Sequence, residues 1–466
     1  MPQRKKRAFV ARLFISFLLV GLALQGAVVA SADDPPKNFQ PPDLSVQAAA
    51  NDEGQKYSDV TGDRVEQAVT LTLSQALRRT LQRGPELTVA TEELRAAEAE
   101  AVLAGRLPNP DLTVSQENVA GGGAYQDTES AELTVELSQP IELGGKRRLR
   151  REAAELGRQI AANGQMLARA EVVATTRQRF VAVLAAQERV ALAREQAELM
   201  AKSLNAADER IKAGKAPTID RLRLQGLASQ ANLAVTQAER SMVTVRQALA
   251  ASWGDTQPDF ERVAGDLSLL PAVPAPADVD ETLEQTAEAV NRRIATELRG
   301  KELAQAKSGR IPDPSLTVGW RQFNESDEDA WLLGISVPLP LFGQGQEAVT
   351  AASHRFNGAK ARELSERNRA RVTLRIAWQA LADTGAEAEV LDKEVVPAAA
   401  QSFAAAEVGY QAGKFGLLEL IDAQRTLFEA RQQLLSARTD CHHAAIALER
   451  LRGAETLIMT QQRQSP

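Results

Sequence analysis

Residues Gly105–Val114 read GRLPNPDLTV, and Gly309–Val318, 204 positions later, read GRIPDPSLTV. Seven of these ten positions are identical, too many for chance, so the chain is a tandem duplication. Ser138-Gln139-Pro140-Ile141 returns as Ser336-Val337-Pro338-Leu339 at an offset of 198. Ala213-Gly214-Lys215 returns as Ala412-Gly413-Lys414 at 199. The repeat is therefore the unit whose folding has to be explained.

Each copy opens with two short alternating strands, predicted at about 109–118 and 130–139, then 313–323 and 330–338. Leu112, Val114 and Gln116 share one face, as do Leu133, Val135 and Leu137, opposite Glu132, Thr134 and Glu136. In copy two the apolar faces carry Leu316, Val318 and Trp320, then Trp331, Leu333, Ile335 and Val337. Period two gives every strand one apolar and one polar face. Tilted strands of roughly 9–11 residues can cross a bilayer core. An ordinary soluble hairpin, half-buried on a core, fits the alternation as well.

The segments that follow are helical. Between Pro140 and Pro217 no proline occurs, and Ala, Glu, Gln, Arg and Leu dominate; these residues lose little entropy in a helix. A helix over about 146–213 is on the order of 100 Å long, wider than any compact core, so it must run among similar helices. Further helices are predicted over about 218–253, 346–412 and 417–453. Leu420, Leu427, Leu434, Cys441 and Leu448 recur every seven residues, followed three positions later by Ala423, Ala430, Ala437, Ala444 and Leu451. Copy one carries the same seam 199 residues earlier, through Leu224, Ala228, Ala231, Val235, Ala238, Met242, Val245 and Leu249. This is a coiled-coil signal.

Arg4-Lys5-Lys6-Arg7, the apolar run Phe14–Ala30 and Ala30-Ser31-Ala32 read as a secretory signal peptide over residues 1–32. A membrane anchor is the alternative. No cysteine lies near the cleavage site, which excludes lipid attachment there. Five of the 55 basic residues fall in that segment, leaving 50 against 61 acidic, a balance that argues against nucleic acid as partner. No other apolar run reaches the roughly 18 residues of a membrane helix, so the mature chain can meet a bilayer only through its strands. Four strands cannot close a barrel, which needs about eight, and open edges in lipid cost several kcal/mol per unsatisfied group. If the strands span a membrane, several chains must pool them.

Several segments together resemble the TolC-like outer-membrane factors. They are Leu71-Thr72-Leu73-Ser74-Gln75-Ala76-Leu77, the two decapeptides, Gln139–Arg147, Pro338–Phe342, and Tyr410–Lys414 leading into Leu420–Gln424. The wording of Gln139–Arg147, Arg310–Trp320 and Pro338–Phe342 is most similar to the CzcC-type heavy-metal branch. The resemblance covers about residues 68–453, with a first repeat at 68–253, a linker or equatorial segment at 254–278 and a second repeat at 279–453. Residues 33–67 read as a disordered leader and 454–466 as a tail. The resemblance implies a mainly α fold with a small β membrane part. Long coiled-coil helices would form an α-barrel, with four strands per chain pooled into a 12-stranded barrel in a homotrimer. It implies a passive exit duct in outer-membrane lipid that works with a periplasmic adaptor and an inner-membrane RND transporter, without a cofactor. Drug efflux and type I protein secretion are alternatives within the family; a soluble periplasmic coiled-coil adaptor or scaffold is the alternative from another class. Interruptions are expected at Gly254–Pro276 and Pro397.

Enzyme signatures are absent. Cys441-His442-His443 invites a metal reading, but Cys441 falls on the seam where copy one has Met242, and adjacent histidines do not share a helical face. Gly121-Gly122-Gly123 joins two strands and precedes no helix, so a hairpin loop explains it better than a phosphate cradle. The resemblance places the functional residues at the inter-helix turns. Glu419 and Asp422 match carboxylates that line the constriction, where three copies would form a cation-selective ring; solvated outer-face charges are the alternative. Copy one holds Asp220 and Arg223 there, which leaves open a ring or a latch. Tyr410 matches a tethering position, and Gly214, Lys215, Gly413 and Lys414 match the turns on which the adaptor docks. Gly214 and Gly413 are expected at positive φ.

Overall fold

Thr72 begins the first described helix by a reciprocal cap. Its hydroxyl accepts from the Gln75 amide at 3.3 Å while its own N–H donates to the Gln75 side chain at 3.0 Å. A computed structural model gives the structure of residues 70–126, 128–276, 283–342 and 344–453. The expected signal peptide, leader and tail lie outside these residues. The described residues belong to one unit, Glu66–Pro466.

In chain order the elements are β1 (Thr70–Thr72), α1 (Leu73–Arg83), α2 (Pro85–Ala104), β2 (Asp111–Glu117) and β3 (Glu132–Pro140), then α3 (Lys146–Lys212), α4 (Thr218–Ala250) and β4 (Arg262–Ala264). Copy two continues with α5 (Ala287–Ser308), β5 (Ser315–Phe323), β6 (Glu328–Ser336), α6 (Gln344–Val390), α7 (Val396–Gln411) and α8 (Leu417–Arg452). The second long helix is thus not continuous. A π-helical turn, Leu391–Val395, separates α6 from α7 just before Pro397, whose missing N–H and bulky ring disfavour an undisturbed helix.

The four longer strands form one antiparallel sheet in the order β2-β3-β5-β6, so the join between repeats runs through its middle. Val114 lies opposite Val135, Val135 opposite Trp320, and Trp320 opposite Trp331, all on one apolar face. That face is bare: Leu112, Val114, Leu333 and Ile335 are all more than 60 % exposed. The opposite face is polar and internally paired across β2, β3 and β5, while β6 adds Ala330, Leu332 and Gly334 to it. Arg321 donates to Thr134 and Glu132 at 2.9 Å each, and Thr317 meets Ser138 at 3.2 Å.

Helix packing follows the seam. Leu420, Leu427, Leu434, Cys441 and Leu448 are buried along α8, which packs on α6, α7 and α3. In α4, which packs on α3, Ala231 and Ala238 are buried but Ala228, Val235 and Met242 are only half-buried. These three are the 199-residue counterparts of Leu427, Leu434 and Cys441. One flank of α4 therefore lacks within the chain the neighbour that α8 has.

A separate collar surrounds the middle of α3. Phe180, Val183 and Leu184 pack with Leu71, Trp253, Phe260, Val263 and Leu267. Here β1 pairs in parallel with β4, and the Gln187 side chain acts as a third strand for β4. It accepts from the Val263 N–H at 2.7 Å and donates to its carbonyl at 3.2 Å. Part of Gly254–Pro276, expected as an interruption, is built into this collar. The His442 ring nitrogen meets the Leu267 carbonyl at 3.2 Å, tying α8 to it.

Candidate functional site at the helical tips

Both inter-helix turns close by the same hydrogen bonds. After α3, Lys215 N–H donates to the Arg210 carbonyl and Gly214 N–H to that of Ile211, each at 2.9 Å. After α7, Lys414 donates to Gly409 at 2.8 Å and Gly413 to Tyr410 at 3.0 Å. These are Schellman caps, and each needs a left-handed residue, supplied by Gly214 at φ 67° and Gly413 at φ 72°. Lys215 and Lys414 are exposed. Exposed apolar residues stand near them: Ile219, Leu222, Val408, Phe415 and Leu418.

Beneath the turns the two copies share one small core of Ala207, Leu224, Ala406, Tyr410, Leu417 and Leu420. Arg210 crosses from α3 to α7. Its guanidinium lies 4.4 Å from the centroid of the Tyr410 ring and donates to the Tyr410 carbonyl. Tyr410 is 4 % exposed, and among the described residues its hydroxyl has no partner. Burial raises its pKa above the usual tyrosine value; Arg210 opposes that shift and Asp220 adds to it. The ring and the carbonyl, not the hydroxyl, are thus what Tyr410 offers within the chain. Gln424, one turn beyond Leu420, is fully buried with its amide unpartnered among the described residues.

Glu419 sits in the first turn of α8 and Asp220 in that of α4, where carboxylates complement the helix dipole. Glu419 and Asp422 are both exposed and clear of the tip core. Asp422 is paired with Arg425 at 2.8 Å, and Arg425 reaches Glu429 at 3.8 Å. Asp220 is half-buried, while Arg223 is exposed and forms no ion pair among the described residues. Near the turn, α3 and α4 share Asp208, 3.3 Å from Arg221. Within one chain, then, Arg223 does not meet Glu419 or Asp422, and beneath the turns it is Arg210 that links the copies.

Sequence reasoning missed Arg210 and Arg425. Arg210 stands where copy two has Gly409, and that contrast was the available signal. Gly409 lets the Phe415 ring lie against the helix: a methyl group there would come 2.1 Å from that ring and force it to move. Cys441 is fully buried among Leu374, Leu381, Ala445 and Leu448, with its thiol pKa pushed up by burial.

The chain matches the family described as outer membrane efflux protein over residues 76–255 and 280–454, one match to each repeat. It is 33 % identical over 388 residues to the cobalt-zinc-cadmium resistance protein CzcC of Cupriavidus metallidurans, covering 83 % of this chain and 91 % of that one. It is 27 % identical to the nickel-cobalt-cadmium resistance protein NccC of Alcaligenes xylosoxydans xylosoxydans, covering 66 % of this chain and 70 % of that one. Its fold is similar to the open-state Neisseria gonorrhoeae MtrE outer membrane channel, with a TM-score of 0.70 at 20 % identity over 90 % of this chain and 97 % of that one. The chain belongs to the outer membrane efflux protein family.

Proposed function

We propose that this protein is the outer-membrane exit duct of a tripartite RND-type pump that exports heavy-metal cations. In this reading three chains pool their strands into a 12-stranded barrel, and their helices continue it as a periplasmic tube. The observation that carries it is the sheet: one bare apolar face, one largely polar and internally paired face, and only four strands among the described residues. Such a sheet matches lipid outside and water inside, but only as part of a larger closed barrel. The metal cargo is supported by what the relatives are named for, cobalt, zinc, cadmium and nickel. The exposed tips, with Lys215, Lys414 and nearby apolar side chains, suit docking of a periplasmic adaptor. Glu419 and Asp422 would line the constriction as a cation-attracting ring.

Two experiments test this. Mass measurement of detergent-extracted protein should give a trimer from the outer-membrane fraction; a monomer in the soluble periplasmic fraction would end the proposal. Deleting the gene should lower tolerance to zinc, cobalt or cadmium. Unchanged metal tolerance with accumulation of organic drugs instead would overturn the cargo and leave the duct.

A further inference from the structure

The internal join between the two repeats has a sequence counterpart in the two edge strands of the sheet. Within the chain, β3 pairs with β5 so that Ser138 lies opposite Thr317, their hydroxyls 3.2 Å apart. The outer strands β2 and β6 are each paired on one side only. Shifting β3 by 198 positions gives β6, and shifting β5 back by 204 gives β2. The transposed register puts Ser336 opposite Thr113, Val337 opposite Leu112 and Ile335 opposite Val114. The same serine–threonine couple recurs, and on the lipid-matching face Ile335 and Val337 meet apolar partners, while Leu333 meets Gln116 much as Gln139 meets Leu316 at the internal join.

A second observation lies at the ends of these strands. In copy one, the segment after β3 is held by copy two. Ile141 N–H donates to the Pro314 carbonyl at 2.8 Å and Leu143 N–H to the Asp313 carboxylate at 2.8 Å. Lys146 pairs with Asp313 at 2.7 Å. Arg150 adds a two-pronged clamp on Glu142. Among the described residues, the corresponding segment after β6 has no such anchor. Positions 340 and 348, which match Glu142 and Arg150, carry proline and alanine. Leu339, Leu341 and Phe342 stand 71 %, 74 % and 89 % exposed. The receptor they lack is present and open elsewhere in the chain. A cleft of about 390 Å³ is lined by Leu103, Arg106, Leu107, Pro108, Asn109 and Arg150. Leu107 and Asn109 are the counterparts of Ile311 and Asp313. In sequence, the Lys146–Asp313 pair corresponds to Gln344 and Asn109, so both charges are replaced by amides together.

We infer that β6 of one chain pairs with β2 of a second copy in the register Ser336 opposite Thr113, with Leu339–Phe342 seated in that copy's Leu103–Asn109 cleft. This rests on the proposed trimer and specifies its seam. The amide pair in place of the ion pair also separates the joins. A segment carrying Lys146 prefers the charged Asp313 of its own chain to the neutral Asn109 of the next.

Disulfide trapping in the full-length membrane protein tests the register, with the buried Cys441 as unreactive background. Thr113→Cys combined with Ser336→Cys should convert monomer to covalent trimer under mild oxidation, and neither single variant should. Glu117→Cys with Ser336→Cys, off register, should remain monomeric on a denaturing gel. An intact trimer by mass that fails to cross-link at the first pair, or that cross-links at the second, overturns the inference and leaves the duct reading standing. Absence of any trimer overturns both. For the cleft, Phe342→Ala should lower the trimer's dissociation temperature. Asn109→Asp should do the same and be rescued by Gln344→Lys. A Phe342→Ala trimer as stable as wild type, or failure of that rescue, would exclude this occupant of the cleft in favour of another, such as lipid.

Discussion

Arg210 spans the two repeats with one guanidinium, and the way it holds Tyr410 decides what substitutions there should do. A cation over an aromatic face contributes about 0.5–2 kcal/mol, and the carbonyl hydrogen bond adds to it. Tyr410→Phe keeps the ring and the carbonyl and loses only a hydroxyl that is unpartnered among the described residues. In planar-bilayer recordings Tyr410→Phe should therefore behave like wild type, whereas Arg210→Ala and Tyr410→Ala should raise conductance. Equal effects of Tyr410→Phe and Tyr410→Ala would show that the hydroxyl has a partner in a neighbouring chain. The carboxylates make a separate prediction. Replacing Glu419 and Asp422 with alanine should weaken cation selectivity and block by divalent cations. Arg425→Ala should strengthen both, because it removes the counter-charge 2.8 Å from Asp422. Unaltered block in the double variant would place those side chains outside the constriction. That Glu419 and Asp422 stand just past an inter-helix turn was legible in the sequence, because the turn motif sits just before them. Arg210 was not, since an arginine in the last helical turn also reads as a dipole cap, and nothing in the local pattern shows that it reaches a residue 200 positions away.

At the scale of elements, alternation and heptads specified the strands and long helices, because both periods report directly on which face is buried. The π-helical turn at Leu391–Val395 showed only as Pro397, and the collar only as a proline-rich gap. The reason is that non-local contacts, such as Gln187 completing β4, leave no periodic trace. The collar yields a pH prediction through His442. Burial, more than any other cause, depresses its pKa; the nearby His443 and Arg177 add to this, while Leu267 and Asp266 oppose it. A depressed value in the folded state means that stability is complete above the ordinary pKa of about 6.5 and is lost as pH falls through the folded-state value. Thermal unfolding, or amide exchange around Leu267, should thus show weakening of the collar on going from neutral to acidic pH. His442→Gln should remove much of that dependence. An identical acid limb in the variant would assign the effect to other groups.

At the scale of the whole molecule, the duplication explains why the chain looks unfinished. Copy two's α8 is packed on both flanks, while copy one's α4 keeps Ala228, Val235 and Met242 half-buried. A second chain presenting α6 and α7 would cover that flank as α3 covers α8. Hydrogen exchange should then protect the outer flank of α4 in assembled protein and leave it labile in any monomer. Equal protection in both forms would show that no neighbour sits there.

The two half-paired strands, β2 and β6, have a genetic consequence. A ring of three closes only if all three seams close, so one chain with a damaged edge disables the two sound chains it joins. When mutant and wild-type copies are expressed equally and mix at random, on the order of one ring in eight is wholly wild type. A proline that blocks pairing along the open side of β2 should therefore be dominant over the normal gene. A deletion of the whole gene should be recessive.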